Sequence, residues 1–385
     1  MAVSNRLSSF GTTIFAEMSR LAIEHEAVNL GQGFPDFDGP DWLKDAASRA
    51  LRDHPNQYAP TGGLPALATA IADRWALRTG ILPDPATEIT VTCGCTEGIA
   101  AAMIGLLNPG DEVVVFEPYY DSYRACIAMA DAVPRFVPLR APGFTFDPDA
   151  LHAAFSRRTR AVLINTPHNP TGRVLTREEL SLIAESCIEH DCIAIADEVY
   201  EELVFDGREH VSIATLPGMA DRTITLSSLG KTFSVTGWKI GWAVASPELT
   251  RAVRAAHQFL TFAIATPLQH AAAAALRAPD SYFTELRASY TRKRDLLCDA
   301  LARLGFRLAR PEGAYFVLAD HTPFGFGRDT DFCKHLIEHV GVATIPPSFF
   351  YEQRDLGAPL VRFAFCKRDE TLHDAIERLA KLRVK

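Results

Sequence analysis

A chain of 385 residues, 48% hydrophobic and 22% charged, has ordinary globular composition and is long enough for one large domain and a smaller one. Its 39 Lys and Arg against 47 Asp and Glu leave a formal charge of −8, which excludes a broad nucleic-acid-binding face but not a small anion site. The eight cysteines form no CxxC pair, and Cys93-x-Cys95 has no nearby His, so neither a disulfide framework nor a metal site is expected. No run reaches the ~18 apolar residues of a membrane span, and the amino-terminal MAVSNRLSSFGTTIF has no apolar core of a secretory signal. A cytoplasmic protein without membrane or nucleic-acid partners is expected.

The first forty or so residues hold one helical pattern and the Gly/Pro-rich segment NLGQGFPDF, placed over a site or within a small domain. From about residue 88 to 246, apolar runs alternate with helical stretches. The runs are EITVT (88–92), EVVVF (112–116), AVLIN (161–165), IAIAD (193–197), TITLS (223–227) and IGWAVA (240–245). Rich in Val, Ile and Thr and with little polar alternation, they read as strands covered on both faces. Amphipathic stretches such as Glu178–His190 lie between them, so the spacing predicts an α/β fold with a mostly parallel sheet sandwiched by helices. After the charged helical stretch Asp280–Leu304 come GFRLA, AYFVLAD, VRFAF and a last helix from Asp369, an α+β pattern. Three units are expected: residues 1–45 contributing to the small domain and substrate pocket, 46–280 as the large domain, and 281–385 as the small carboxy-terminal domain.

Several segments carry chemistry. In SSLGKTFSVTGWK (227–239), Lys231 sits among Ser227, Ser228, Thr232 and Ser234, with a second cation at Lys239. A lone loop lysine is ordinarily a surface group. Hydroxyls and a cation around it would hold a phosphate while leaving Lys231 free to form an imine. Asp197 ends an apolar strand in ADEVY; it either caps a helix or faces the ligand crevice at the carboxyl ends of the strands. There it would keep the ring nitrogen of pyridoxal phosphate protonated, making the ring an electron sink. Tyr200, three residues on, and Asn169 of NTPHNPTG would donate to the ring's phenolate oxygen and lower the imine pKa. NPTG is otherwise a plain turn signal.

In CGCTEG (93–98) the backbone N–H groups of Cys95 and Thr96 fall at a helix start that favours phosphate. Tyr120 of EPYYDSY either stacks on a flat ring or packs in the core. Arg362, in PLVRFAFC, either grips a substrate carboxylate through two parallel hydrogen bonds or belongs to a structural ion pair.

Together the segments NLGQGFPDF, NQYAPTGG, NTPHNPTG, IADEVY, SSLGKTFSVTGWKIGW and PEGAYF resemble the class I/II aminotransferases of pyridoxal-phosphate fold type I, nearest the kynurenine, glutamine–phenylpyruvate and methionine aminotransferase branch. The resemblance runs from about residue 10 to the end. It implies Lys231 as the imine-forming lysine and proton shuttle, Asp197 at the pyridine nitrogen, and Tyr200 and Asn169 at the phenolate oxygen. Ser228, Lys239 and the Cys95–Thr96 turn would hold the phosphate, with Tyr58 reaching the phosphate of a neighbouring subunit in a homodimer with shared sites. Arg362 and Gly33 would take the substrate carboxylate. Lys239 and Cys95 depart from the Arg, and from the Ala or Gly, common at those positions; Lys239 keeps the charge, and position 95 acts through its backbone.

The activity implied is ping-pong transfer of an amino group from an amino acid to a 2-oxo acid. The resemblance implies a pocket wall where Ile14, Phe15, Tyr120 and the other subunit's Phe262 region fall, which is apolar and aromatic, and HQFLTFAIATP (257–267) offers no Lys or Arg for a side-chain carboxylate. Neutral hydrophobic, aromatic or sulfur-containing amino acids (methionine, phenylalanine, tyrosine, kynurenine) and glutamine are the expected donors. A cysteine-conjugate or cystathionine-type β-lyase would use the same lysine and carbanion. A non-catalytic regulator of this fold would carry an added DNA-binding module, and no basic helix-turn-helix pattern is present.

Overall fold

β-Branched apolar segments assemble where both of their faces can be covered, and here seven of them form one sheet. The computed structural model describes residues 3–384; Met1, Ala2 and Lys385, at the ends of the expected terminal units, lie outside it. The strands lie in the order Ile89–Cys93, Ile240–Ala245, Thr223–Ser228, Ile193–Asp197, Thr159–Asn165, Glu112–Glu117 and Val133–Pro138. All neighbours are parallel except Ile240–Ala245, which runs antiparallel to both strands beside it. Six of the seven match the apolar runs of the sequence to within a residue or two. Val133–Pro138 has no counterpart among them: VPRFVP carries two prolines and stays partly exposed, a composition that only an edge strand tolerates.

Helices cover both faces. Ile99, Ala102 and Met103 of helix Gly94–Leu106 pack with Leu249 and Val253 of helix Pro247–Leu260 in one apolar cluster. On the other face lie Leu180, Ile183 and Ala184 of helix Arg177–Glu189. That helix starts in a reciprocal cap, Thr176 Oγ1 accepting from the Glu179 N–H (3.2 Å) and Glu179 Oε2 from the Thr176 N–H (2.8 Å).

A second, antiparallel sheet places Phe316–Asp320 between Arg307–Leu308 and Leu360–Ala364. The amino-terminal strand Val28–Asn29 pairs in parallel with Val342–Ala343, and the Ala364 N–H donates to Leu30 O (2.7 Å). NLGQGFPDF is thereby fixed beside the strand that carries Arg362. It belongs to the terminal layer and also covers the crevice at the carboxyl ends of the parallel strands. None of the described helices is long and apolar enough to cross a membrane.

The two helices on the first face cross where Gly105 meets the backbone: an added Cβ would lie 2.2 Å from Ala252 O. Gly105→Ala is expected to cost about 1–3 kcal/mol in a denaturant titration, because the helices must separate. Gly143→Ala, whose methyl would meet only the Thr145 side chain at 3.9 Å, should leave the midpoint unchanged.

Candidate active site

The crevice is a cavity of about 370 Å³ whose walls include Asn165, Asp197 and Ser228, each the last residue of a parallel strand. The antiparallel strand completes it. Since Cys93 pairs with Ile240, the end of one strand lies beside the start of the other, bringing Gly94–Thr96 against Lys239. Gly94 has φ +69°, and a Cβ there would meet Lys239 Nζ at 3.1 Å; a Cβ on Gly241 would lie 2.5 Å from the Gly94 carbonyl carbon. Only glycines allow this approach.

One corner of the cavity gathers donors for an anion. The first-turn N–H groups of helix Gly94–Leu106, at Cys95 and Thr96, have no acceptor within the helix. Ser228 stands at the start of the short turn Leu229–Thr232 with its hydroxyl making no capping bond. Lys239, held at φ 55°, is exposed and pairs with no acid among the described residues. A phosphate fits this set.

At the base lies Asp197, 5% exposed. Its Oδ2 accepts from Tyr123 Oη (2.7 Å) and its Oδ1 from the Val199 N–H (3.2 Å), and the Cys95 thiol lies beside it. Burial raises its pKa; these hydrogen bonds and the charge of Lys231 oppose the rise. No cation forms an ion pair with it among the described residues, so a carboxylate is held ready for a positively charged group in the cavity. A protonated pyridine nitrogen is such a group.

Lys231 lies half-buried opposite. Its Nζ donates to Gly33 O (3.3 Å) and stands 5.8 Å and 5.7 Å from the ring centroids of Tyr200 and Tyr315. Burial, aided by Lys239 and Arg362, pushes its pKa below the ordinary lysine value against the pull of Cys366 and Asp197. The shift is in the direction that eases loss of a proton from the amine, as a nucleophilic lysine needs.

Arg362 is 1% exposed. Nη1 donates to Asn169 Oδ1 (3.1 Å), Nη2 donates to Gly31 O (2.8 Å), and Nε has no partner. Its guanidinium carbon lies 4.4, 5.1 and 5.3 Å from the rings of Phe316, Phe15 and Phe350. The structural ion pair that the sequence left open is absent among the described residues. A buried guanidinium with an orphaned N–H, lining a cavity, suits an incoming carboxylate. Gly33 lines the same cavity, its N–H without an acceptor among the described residues and its carbonyl toward Lys231. Asn169 is tied by its backbone N–H to Asn165 Oδ1 (2.7 Å); with its side-chain oxygen on Arg362, its amide NH₂ is left for the cavity.

Phe15, Tyr120, Tyr200 and Thr96 also line the cavity. Two residues do not. Ile14 is 6% exposed and packs in the core, since the next residue along a helix, Phe15, points about 100° away. Tyr58 is 82% exposed, edge-on to Phe262 at 5.1 Å between centroids, outside this chain's cavity. Sequence reasoning passed over Tyr123, the Cys95 thiol, Asp121 and Tyr315. The first was within reach, because Tyr120 and Tyr123 are three apart at a helix start; the Asp197 contact of Cys95 depends on tertiary placement and has no local signal.

Comparison with known proteins agrees with this geometry. Residues 25–379 match the family described as aminotransferase class I and II. The structure of N-succinyldiaminopimelate aminotransferase from Mycobacterium tuberculosis superposes with a TM-score of 0.97 at 49% identity, over 99% of this chain and 100% of that one. The methionine aminotransferase of Escherichia coli gives 0.96 at 40% identity, over 99% and 100%. The kynurenine–oxoglutarate transaminase of Dictyostelium discoideum is 38% identical over 99% of this chain and 96% of its own length. The chain belongs to the class I and II aminotransferases, pyridoxal-phosphate enzymes of fold type I.

Proposed function

We propose that this aminotransferase takes its amino group from a neutral L-amino acid with a hydrophobic, aromatic or sulfur-containing side chain, or from glutamine, and passes it to a 2-oxo acid by a ping-pong route. The observation that carries this reading is the charge inventory of the cavity. Its cations are Lys231, Lys239 and Arg362, and its anions Asp121 and Asp197. The three cations are taken up by the amine chemistry, the phosphate and the substrate α-carboxylate. Among the described residues of this chain no fourth cation lines the cavity to receive a side-chain carboxylate, while Phe15, Tyr120 and Phe316 offer apolar surface.

Bound pyridoxal phosphate supplies an electron sink for the bond being broken at the substrate α-carbon. The protein's own groups do the rest. Lys239, Ser228 and the Cys95–Thr96 turn would hold the phosphate, and Asp197, steadied by Tyr123, would keep the ring nitrogen protonated. Tyr200 and the free amide of Asn169 would donate to the ring's phenolate oxygen. Arg362 and the Gly33 N–H orient the α-carboxylate. Lys231 Nζ, whose pKa burial lowers, would take the proton from the α-carbon as general base and return one as general acid.

A second reading, N-succinyldiaminopimelate as donor, is favoured by the 49% identity to the mycobacterial relative. We further propose a homodimer in the cytoplasm in which Tyr58 reaches the partner's phosphate site. Tyr58, Phe259 and Phe262 are 82%, 86% and 48% exposed, an apolar group suited to a second copy.

The visible spectrum of the cofactor-loaded protein, recorded before and after L-methionine without oxo acid, tests the reaction. Conversion to the pyridoxamine form with one equivalent of oxo acid released is expected, and Lys231→Ala should abolish it. Pyruvate and ammonia from a cysteine conjugate, with the spectrum unchanged, would establish β-lyase chemistry instead. Phenylalanine, glutamine, aspartate and N-succinyldiaminopimelate in the same assay rank the donors. Arg362→Met should raise KM for every amino acid roughly 10- to 150-fold, the ~1.5–3 kcal/mol of a charged hydrogen bond.

Asp121 supplies a separate test of selectivity. It is half-buried and has no ion-pair partner among the described residues; burial raises its pKa, opposed by the Ser122 N–H and Arg362. Asp121→Asn should improve kcat/KM for glutamate relative to phenylalanine by about tenfold (~1.4 kcal/mol), by removing like-charge repulsion at the cavity wall.

A further inference from the structure

Four consecutive backbone carbonyls, from Gly31 to Phe34, each accept a hydrogen bond from a side chain. Gly31 O accepts from Arg362 Nη2 (2.8 Å). Gln32 O and Phe34 O accept from one ammonium, Lys367 Nζ, at 3.1 and 2.8 Å. Between them, Gly33 O accepts from Tyr315 Oη (2.6 Å) and Lys231 Nζ (3.3 Å). The segment forms part of the cavity wall, through Gln32, Gly33 and Phe34. It cannot shift inward, because Gly33 rests on the Phe316 ring, where a Cβ would lie 2.7 Å from the nearest carbon. Gln32 carries the constraint onward, its Nε2 donating to Ser19 Oγ and to Phe15 O (3.4 Å), so the place of the Phe15 ring depends on the same segment.

The donors differ in what else they must do. On the functional reading above, Arg362 engages the substrate carboxylate and Lys231 the cofactor, and each then gives up part or all of its hold on Gly31 O or Gly33 O. Lys367 has no such second task. It is 3% exposed, lies outside the cavity lining, and has no carboxylate paired with it among the described residues. A buried ammonium held by two carbonyls and the Phe34 ring (5.4 Å to its centroid), with no paired carboxylate, is costly, and a neutral donor would suffice if filling two acceptors were its whole purpose. One ammonium spanning the two carbonyls on either side of Gly33 fixes that residue without touching it.

We infer that Lys367 is a positioning residue for transamination: it holds the Gly31–Phe34 segment, and through it Gly33 and Phe15, in place while Arg362 and Lys231 are engaged by substrate and cofactor. Its contribution is therefore greatest in the occupied site, where two of the segment's other anchors are drawn away.

The experiment is amide hydrogen exchange over residues 31–37 in the cofactor-loaded protein, with and without 3-phenylpropionate, a carboxylate that has no amino group to react. The probe is used at a concentration that saturates its effect on cofactor absorbance. Wild type should exchange slowly in both states. Lys367→Met should exchange about tenfold faster only with the probe bound, and should raise KM for phenylalanine about tenfold with kcat within about twofold of wild type. Lys367→Arg, able to span both carbonyls, should restore both readouts. Exchange in Lys367→Met that is equally fast without the probe, or slow with it, overturns the inference. Lys367→Gln, which keeps one amide donor, gives the same comparison if Lys367→Met does not fold. Should wild type ignore 3-phenylpropionate but transaminate aspartate, the substrate reading fails, and maleate replaces the probe to test Lys367 on its own.

Discussion

Charges held in or beside one cavity without counter-ions are the constraint around which this protein is built. Asp197, Arg362 and Lys367 are buried, Lys231 is half-buried, and no opposite charge pairs with any of them among the described residues. Leaving such groups unpaired costs several kcal/mol each unless hydrogen bonds and a ligand compensate. The hydrogen bonds are present: Tyr123 and a backbone N–H on Asp197, Asn169 and a carbonyl on Arg362, carbonyls on the two lysines. The rest of the compensation is a ligand with the complementary pattern, namely an anion, a protonated ring nitrogen and a carboxylate. Pyridoxal phosphate with an amino acid has that pattern.

The scaffold makes the unpaired charges tolerable by fixing them on rigid elements. Asp197 ends a strand that hydrogen-bonds on both sides, and Arg362 lies on a strand between Phe316–Asp320 and the Ile345 backbone. Reversal of a single strand then supplies the phosphate corner. If Ile240–Ala245 ran parallel to its neighbours, its first residue would lie at the opposite edge of the sheet, and Lys239 with it. Because it runs antiparallel, Lys239 starts where Cys93 ends, and glycines at 94 and 241 let the two backbones close up. The same cavity carries three cations, Lys231, Lys239 and Arg362, and a second acid, Asp121, at its wall.

Much of this was legible in the residues. Six of seven strands of the large sheet are unbroken apolar runs, because a strand buried on both faces has no polar side to show. Val133–Pro138 escaped, since an edge strand is free to carry prolines and exposed side chains. Lys231, Asp197, Asn169, Tyr200 and Ser228 line one cavity, as residues at or just after the ends of apolar strands in an α/β sheet lead one to expect, and Arg362 joins them from the second sheet. Ile14 went the other way, into the core, because neighbours on a helix diverge by about 100°.

By itself the amino-acid sequence determined the strand–helix alternation, the lysine turn and the acid at the strand end, because each is set by local periodicity or by the residue's place beside a strand. Tertiary structure alone decided the rest. That Arg362 meets Asn169 and Gly31, 193 and 331 residues away, and three aromatic rings rather than an acid follows from tertiary packing. The same holds for Tyr123 and the Cys95 thiol on Asp197, and for Lys367 across the carbonyls beside Gly33. A hydrogen bond needs its partners within about 3 Å in space, and separation along the chain carries no record of that distance.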